Sequence, residues 1–203
     1  MLDIQTFIKP TQSLQEMAAG LSIADLHRLT DQMIDAVQAR IASAKDEDVT
    51  FEPQDPDAFD KFTDNPDEVK LAWTLGHVIV HTTASSEESA ALALTLARGL
   101  PVTGRSRYEV AWREMHRVEQ LHQRLAESRR MRHAMLDAWP DEPHLENSYT
   151  PNYPKARPLN PVSRFLYGLL HEASHLGQIE NIIQQARNAS NKSASEDDPG
   201  LRG

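Results

Sequence analysis

Apolar residues recur at helical spacing along four long stretches, and no stretch alternates in the manner of a half-buried strand. The first stretch predicts a helix over about 22–44: Leu26, Leu29, Met33, Val37 and Ile41 share one face, behind Ser22 as N-cap and Asp25 three residues on. A short helix over 13–19, ended by Gly20, precedes it. The second is predicted over 66–98, because Asn65-Pro66-Asp67-Glu68 combines a capping amide, a proline at the first helical position and acids in the first turn. Leu71 to Ala84 carries no Lys, Arg, Asp or Glu, which puts that part at the centre of a bundle. The third is predicted over 106–139, capped by Ser106 and stopped by Pro140, and the fourth over 161–189, opened by Asn160-Pro161.

The connections set the topology. Gly99, Pro101 and Gly104 make a short turn between the second and third helices, so these are expected to be antiparallel neighbours. The other connections are long: 45–64 is rich in Asp, and 141–160 carries prolines at 143, 151, 154 and 158. The expected fold is therefore all-α, a four-helix bundle with two long crossover loops, forming one domain over 1–189, with a polar tail over 190–203 expected to be disordered.

Composition narrows the function classes. The formal net charge of −9 over 203 residues argues against nucleic-acid binding, which needs surplus Lys and Arg; the Arg-rich run 105–132 reads as a solvated helix face. With no cysteine, thiolate metal sites and a Cys nucleophile are excluded. The longest apolar run, Val78 to Leu96, is interrupted by His81, Glu87 and Glu88, so no membrane span is expected. The first residues show no basic segment followed by an apolar one, and a cytoplasmic protein is the expectation.

The histidines carry the chemistry. His171 and His175 on the fourth helix are i,i+4, so both imidazoles leave one face one turn apart and can reach one ion at about 2.1 Å. His77 and His81 repeat the spacing in the most apolar part of the second helix. Nine histidines make one such pair unsurprising; two pairs in central helices are harder to dismiss, and spacing alone leaves a metal site and hydrogen-bonded packing equally open. His27, His116, His122, His133 and His144 lie beside charged or loop residues and read as surface. His171-Glu172-Ala173-Ser174-His175 matches the zinc-protease pattern, but Gln178 and Asn181 stand where the extended form has Gly and His, and no strand for a peptide is evident.

At these residues the chain resembles the DinB-like superfamily of metal-binding four-helix bundles, which includes YfiT-type proteins. Trp73 followed eight residues on by His81, in WTLGHVIVH, is similar to that family's second helix, and HEASHLGQI over His171 to Ile179 to its last-helix signature. The resemblance implies a three-histidine site, His81 with His171 and His175, with water in the remaining positions and nickel or zinc as the usual ion. His77 would then be a pocket wall or second-layer residue, or a fourth ligand. Relatives include thiol-dependent S-transferases and isomerases that use bacillithiol or mycothiol, which makes such an enzyme, acting on a small molecule, the leading expectation. Tyr167 and Glu172 are the candidate catalytic residues and Arg164 the candidate cofactor-binding residue. Two alternatives stand beside it: a hydrolase that uses metal-bound water, with Glu172 or Glu87 as base, and a non-catalytic metal-binding stress-response bundle. A homodimer is also implied.

Overall fold

A computed structural model of the chain describes residues 3–60, 63, 65–104, 107–152 and 155–196. Among them the chain is all-helical: α1 (Ile4–Ile8), α2 (Leu14–Ala18), α3 (Ile23–Ile41), α4 (Asp46–Val49), α5 (Leu75–Ala97), α6 (Val118–Asp137), α7 (Pro161–Ser174) and α8 (Leu176–Glu196). One isolated antiparallel bridge, Tyr149 to Leu159, is the only extended pairing among the described residues. No described helix is long and apolar enough to cross a membrane.

The bundle consists of α3, α5, α6 and the α7–α8 rod. Its centre is α5, packed broadly on α7 and α6, while α3 lies against α6, α7 and α8. The α3 stripe reads as expected: Leu26, Leu29, Met33, Val37 and Ile41 are fully buried, and Ser22 and Asp25 form a reciprocal capping box.

Three helix boundaries depart from the sequence expectation. Asn65 does cap a helical turn, accepting from the Asp67 amide at 3.1 Å, but that turn is only a 3-10 segment over Pro66–Glu68. The long helix starts later, at Leu75, where Thr74 Oγ1 accepts from the His77 amide at 3.2 Å. A second cap thus competes with the first, and it leaves Trp73 just ahead of the helix with its ring against His77 and His81.

The third helix begins at Val118; Ser106, its expected cap, lies outside the described residues. The segment after it is irregular, with one 3-10 turn over Trp112–Glu114. Tertiary bonds override its helical pattern. The Arg107 amide donates to Glu88 and its guanidinium to Ser85, both on α5, while Trp112 stacks on His77. At the true start, Gln120 accepts from the amides of His116 and Arg117, and Asp46 from that of Val118.

The fourth helix is interrupted at His175 (φ −93°, ψ −5°). The Ser174 hydroxyl donates to the His171 carbonyl at 2.6 Å, the acceptor that the His175 amide would use in a continuous helix. That amide turns instead to the Glu172 carbonyl, at 3.1 Å. Beyond the joint, α8 continues through Glu196, past Ala189, where the polar tail was expected to begin. The acidic loop likewise holds a short helix, α4, whose Val49 is fully buried.

The α5–α7 contact is close because α7 carries Gly168 there. A Cβ at that position would sit 2.6 Å from Ser89 Cβ and 3.1 Å from Ser86 Cα, so the helices would have to part. Gly168→Ala is therefore expected to lower the urea midpoint by the equivalent of about 1–3 kcal/mol, net of the small helix-propensity gain. An unchanged midpoint would show that the crossing yields without cost.

Candidate metal centre

Burial of the apolar face of α5 fixes His81, 8 % exposed, against α7, which supplies His171 and, at its C-cap, His175. One ring nitrogen from each of the three lies within 4.8 Å of the other two, and among the described residues these three form the only group of potential ligands so clustered. His81 Nε2 and His171 Nε2 are 3.4 Å apart. Two imidazole nitrogens each about 2.1 Å from one tetrahedral ion stand about 3.4 Å from each other, so the pair already has the spacing of shared ligands.

The far sides of two of the rings, those of His175 and His81, face oxygen atoms. His175 Nδ1–H donates to Gln178 Oε1 at 2.7 Å, which leaves Nε2 as a lone pair. His81 Nδ1 faces Glu109 Oε1 at 3.3 Å, and Arg107 grips the same carboxylate at 3.0 Å. An oxygen in that place fixes a ligand imidazole's tautomer and raises its basicity toward a metal. Burial would push the Glu109 carboxyl up, but the His81 hydrogen bond and the Arg107 charge outweigh it and hold Glu109 below the usual range. Burial lowers the His175 pKa, helped by His81 nearby and opposed by the Gln178 bond, so its imidazole stays neutral and available.

His77 is not one of the converging three. Its ring lies between Trp73 (centroids 4.6 Å apart, 28°) and Trp112 (4.3 Å, 3°), and Nδ1 is buried without a hydrogen-bond partner. Arg113 covers Trp112 at 4.2 Å, and Trp73 also stacks toward His175 at 5.8 Å. His77 therefore builds the aromatic wall beside the triad.

Burial drops the His77 pKa from 6.5 to about 4. The unfolded chain thus takes up this proton first as pH falls, so the stability due to neutral His77 is complete above about pH 6.5 and lost on the way down to about pH 4. That loss amounts to about 3 kcal/mol at most. His77→Phe, which keeps the stack, is expected to flatten the fall in urea midpoint over this range; an equally steep fall in the variant would assign the proton elsewhere.

The remaining site candidates are engaged by other groups or lie outside the clustered ligands. Glu172 is 1 % exposed, with Arg132 donating to both oxygens at 2.7 and 3.1 Å and Ser86 at 3.0 Å. Glu87 is ion-paired with Arg124. Arg164 is buried, donates to Ser89 at 2.8 Å and lies over the Tyr167 ring at 5.2 Å. Tyr167 itself lines a shallow depression with Leu14, Gln15, Leu159 and Leu170. Glu109, Arg107 and Trp112 were missed by the sequence reading. They fall in a segment whose pattern reads as a solvated helix, and nothing local signals that it folds onto α5.

The model of the DinB superfamily matches residues 29–179, three quarters of the chain and all three histidines. The chain belongs to the DinB superfamily. No curated protein and no solved structure matches it. Membership in the DinB superfamily agrees with the all-helical fold and with a histidine triad able to hold a metal ion.

Proposed function

We propose that this DinB-like chain is a metal-dependent enzyme that uses an external low-molecular-weight thiol, of the bacillithiol or mycothiol class, for S-transfer or isomerisation. The ligands are His81, His171 and His175, and the ion is nickel or zinc, both suited to imidazole. The observation that carries the reading is the convergence of three imidazole nitrogens within 4.8 Å, with His175 hydrogen-bonded behind to Gln178 and His81 facing the Glu109 carboxylate.

With only three protein ligands, a bound divalent ion keeps coordination positions for an exogenous group and supplies Lewis acidity that favours a thiolate or polarises a carbonyl. The protein's own part is to hold the three rings neutral and oriented. Gln178 and Glu109 set two tautomers, and Trp73 with the His77–Trp112 stack walls the site from one side. The thiol reading is preferred to hydrolysis because both carboxylates considered as a base, Glu172 and Glu87, are committed to arginines.

The test is conjugation of bacillithiol, mycothiol or glutathione to monobromobimane by tag-free protein, with and without nickel or zinc. A metal-dependent rate lost on chelation is expected; absence of turnover with every thiol tried would sink the enzymatic reading. Glu109→Gln is expected to weaken metal affinity by about 10–100-fold, read by chelator competition. Unaltered affinity would remove Glu109 from the site's support.

A further inference from the structure

Outside the triad the sequence repeats a small motif on two helices. His27 and Asp31 stand one turn apart on α3, and His133 and Asp137 one turn apart on α6. The two pairs cross. His27 Nε2 meets Asp137 Oδ1 at 3.1 Å, and His133 Nε2 meets Asp31 Oδ1 at 2.9 Å. Between them the two Nδ1 atoms are 2.5 Å apart, with ring centroids at 4.6 Å.

Counting protons makes this contact informative. Each Nε2 faces a carboxylate and must donate, so a neutral ring carries its lone pair on Nδ1. Two neutral rings would then point lone pairs at each other, which is favourable only if a positive charge lies between them. That charge is either a shared proton or a metal ion. A carboxylate on the far nitrogen of each ring is also the arrangement that orients metal-binding imidazoles. Arg129 bridges Asp31 at 3.2 Å and Asp35 at 2.5 Å, so a guanidinium and a further carboxylate lie behind Asp31, one of the two carboxylates that face the rings. The His27 and His133 side chains are 24 % and 27 % exposed, which admits water to further coordination positions.

We propose that His27 and His133 form a second site, for a borderline divalent ion such as zinc, nickel or copper, which clips α3 to α6 through the two Nδ1 atoms. Imidazole donors suit these ions. Ligand nitrogens on one ion stand about 3.0–3.4 Å apart, so the partly buried rings open by under about 1 Å to admit it. Two protein ligands bind more weakly than three, and the carboxylates set ring direction rather than adding charge to the first coordination layer. The proposal does not depend on the triad.

Calorimetric titration of tag-free protein with nickel and zinc tests it, comparing wild type, His27→Gln, His133→Gln and the His171→Ala/His175→Ala double variant, each checked for fold by circular dichroism. Wild type is expected to take a second equivalent at least about tenfold weaker than the first. Each Gln variant loses the weak equivalent and keeps the tight one; the triad variant does the reverse. If the triad variant binds nothing, or the weak equivalent survives in both Gln variants, the rings share a proton only and the proposal falls. In wild type, the ring signals of His27 and His133 are expected to broaden as nickel passes one equivalent. Unchanged signals overturn the proposal whatever the variants do.

Discussion

His171→Ala is expected to cut nickel and zinc affinity by about a hundredfold or more. Four-ligand structural zinc sites have apparent binding energies of about 10–16 kcal/mol, or roughly 3 kcal/mol per ligand. The loss here should reach that share, because His171 is the ring whose Nε2 stands 3.4 Å from that of His81. Competition with a chromophoric chelator gives the affinity, and elemental analysis of dialysed protein gives the content. A chelator should lower the wild-type melting temperature, since the ion binds the folded chain selectively, and leave that of the variant unmoved. His77→Phe serves as the contrast: its ring is stacked between two tryptophans, so metal content should be retained. Equal metal affinity in wild type and His171→Ala would remove the triad as the binding site.

The largest effect on stability is expected from the buried ion pair between α6 and α7. Arg132 is fully buried and donates to both oxygens of Glu172 and none of its reach is to solvent; Ser128 and Ser86 complete the network at 3.0 Å each. Arg132→Met leaves a carboxylate in the core with one hydroxyl donor, which costs about 3–5 kcal/mol. Against a typical stability of about 5–15 kcal/mol, that is a large fraction. The double variant Arg132→Met/Glu172→Leu removes both charges and should recover most of the loss, because the pair's Coulomb attraction is largely offset by the cost of drying it. Urea denaturation of the four members of this cycle measures the coupling. If the double variant is as unstable as the single one, the network stabilises by more than avoiding an orphaned charge. The same position separates structure from chemistry: folded, metal-loaded Glu172→Gln that lost turnover by over about a thousandfold would restore Glu172 as a base.

What was legible in the sequence is what depends on local pattern. The α3 stripe and its Ser22–Asp25 box need only neighbouring residues, and they stand as expected. The pairs His77/His81 and His171/His175 were visible because i,i+4 spacing survives any small error in helix bounds, while the choice of His81 over His77 came from the family resemblance and not from spacing. The errors arise where two local signals compete or a distant partner decides. Asn65-Pro66 is a sound cap, but Thr74 is another nine residues on, and only packing of Trp73 against the imidazoles favours the later start. The run from Arg107 to Met115 has helix-forming residues, yet bonds to Glu88 and Ser85 keep it irregular. Glu109 became part of the site by that route, through its contact with His81 on α5, far away in sequence. The joint at His175 rests on one serine hydroxyl, a competition that hydrophobic periodicity does not register.

That joint couples the seating of the C-terminal rod to the candidate metal centre. α8 spans 21 residues from Leu176, so it is about 30 Å long, and Ile179, Ile182, Ile183 and Ala186 bury one face of it in the bundle. The rod begins at the backbone of His175, whose ring belongs to the triad. Its first turn is tied to that ring by Gln178, so the direction of the imidazole is set by the same packing that seats the rod.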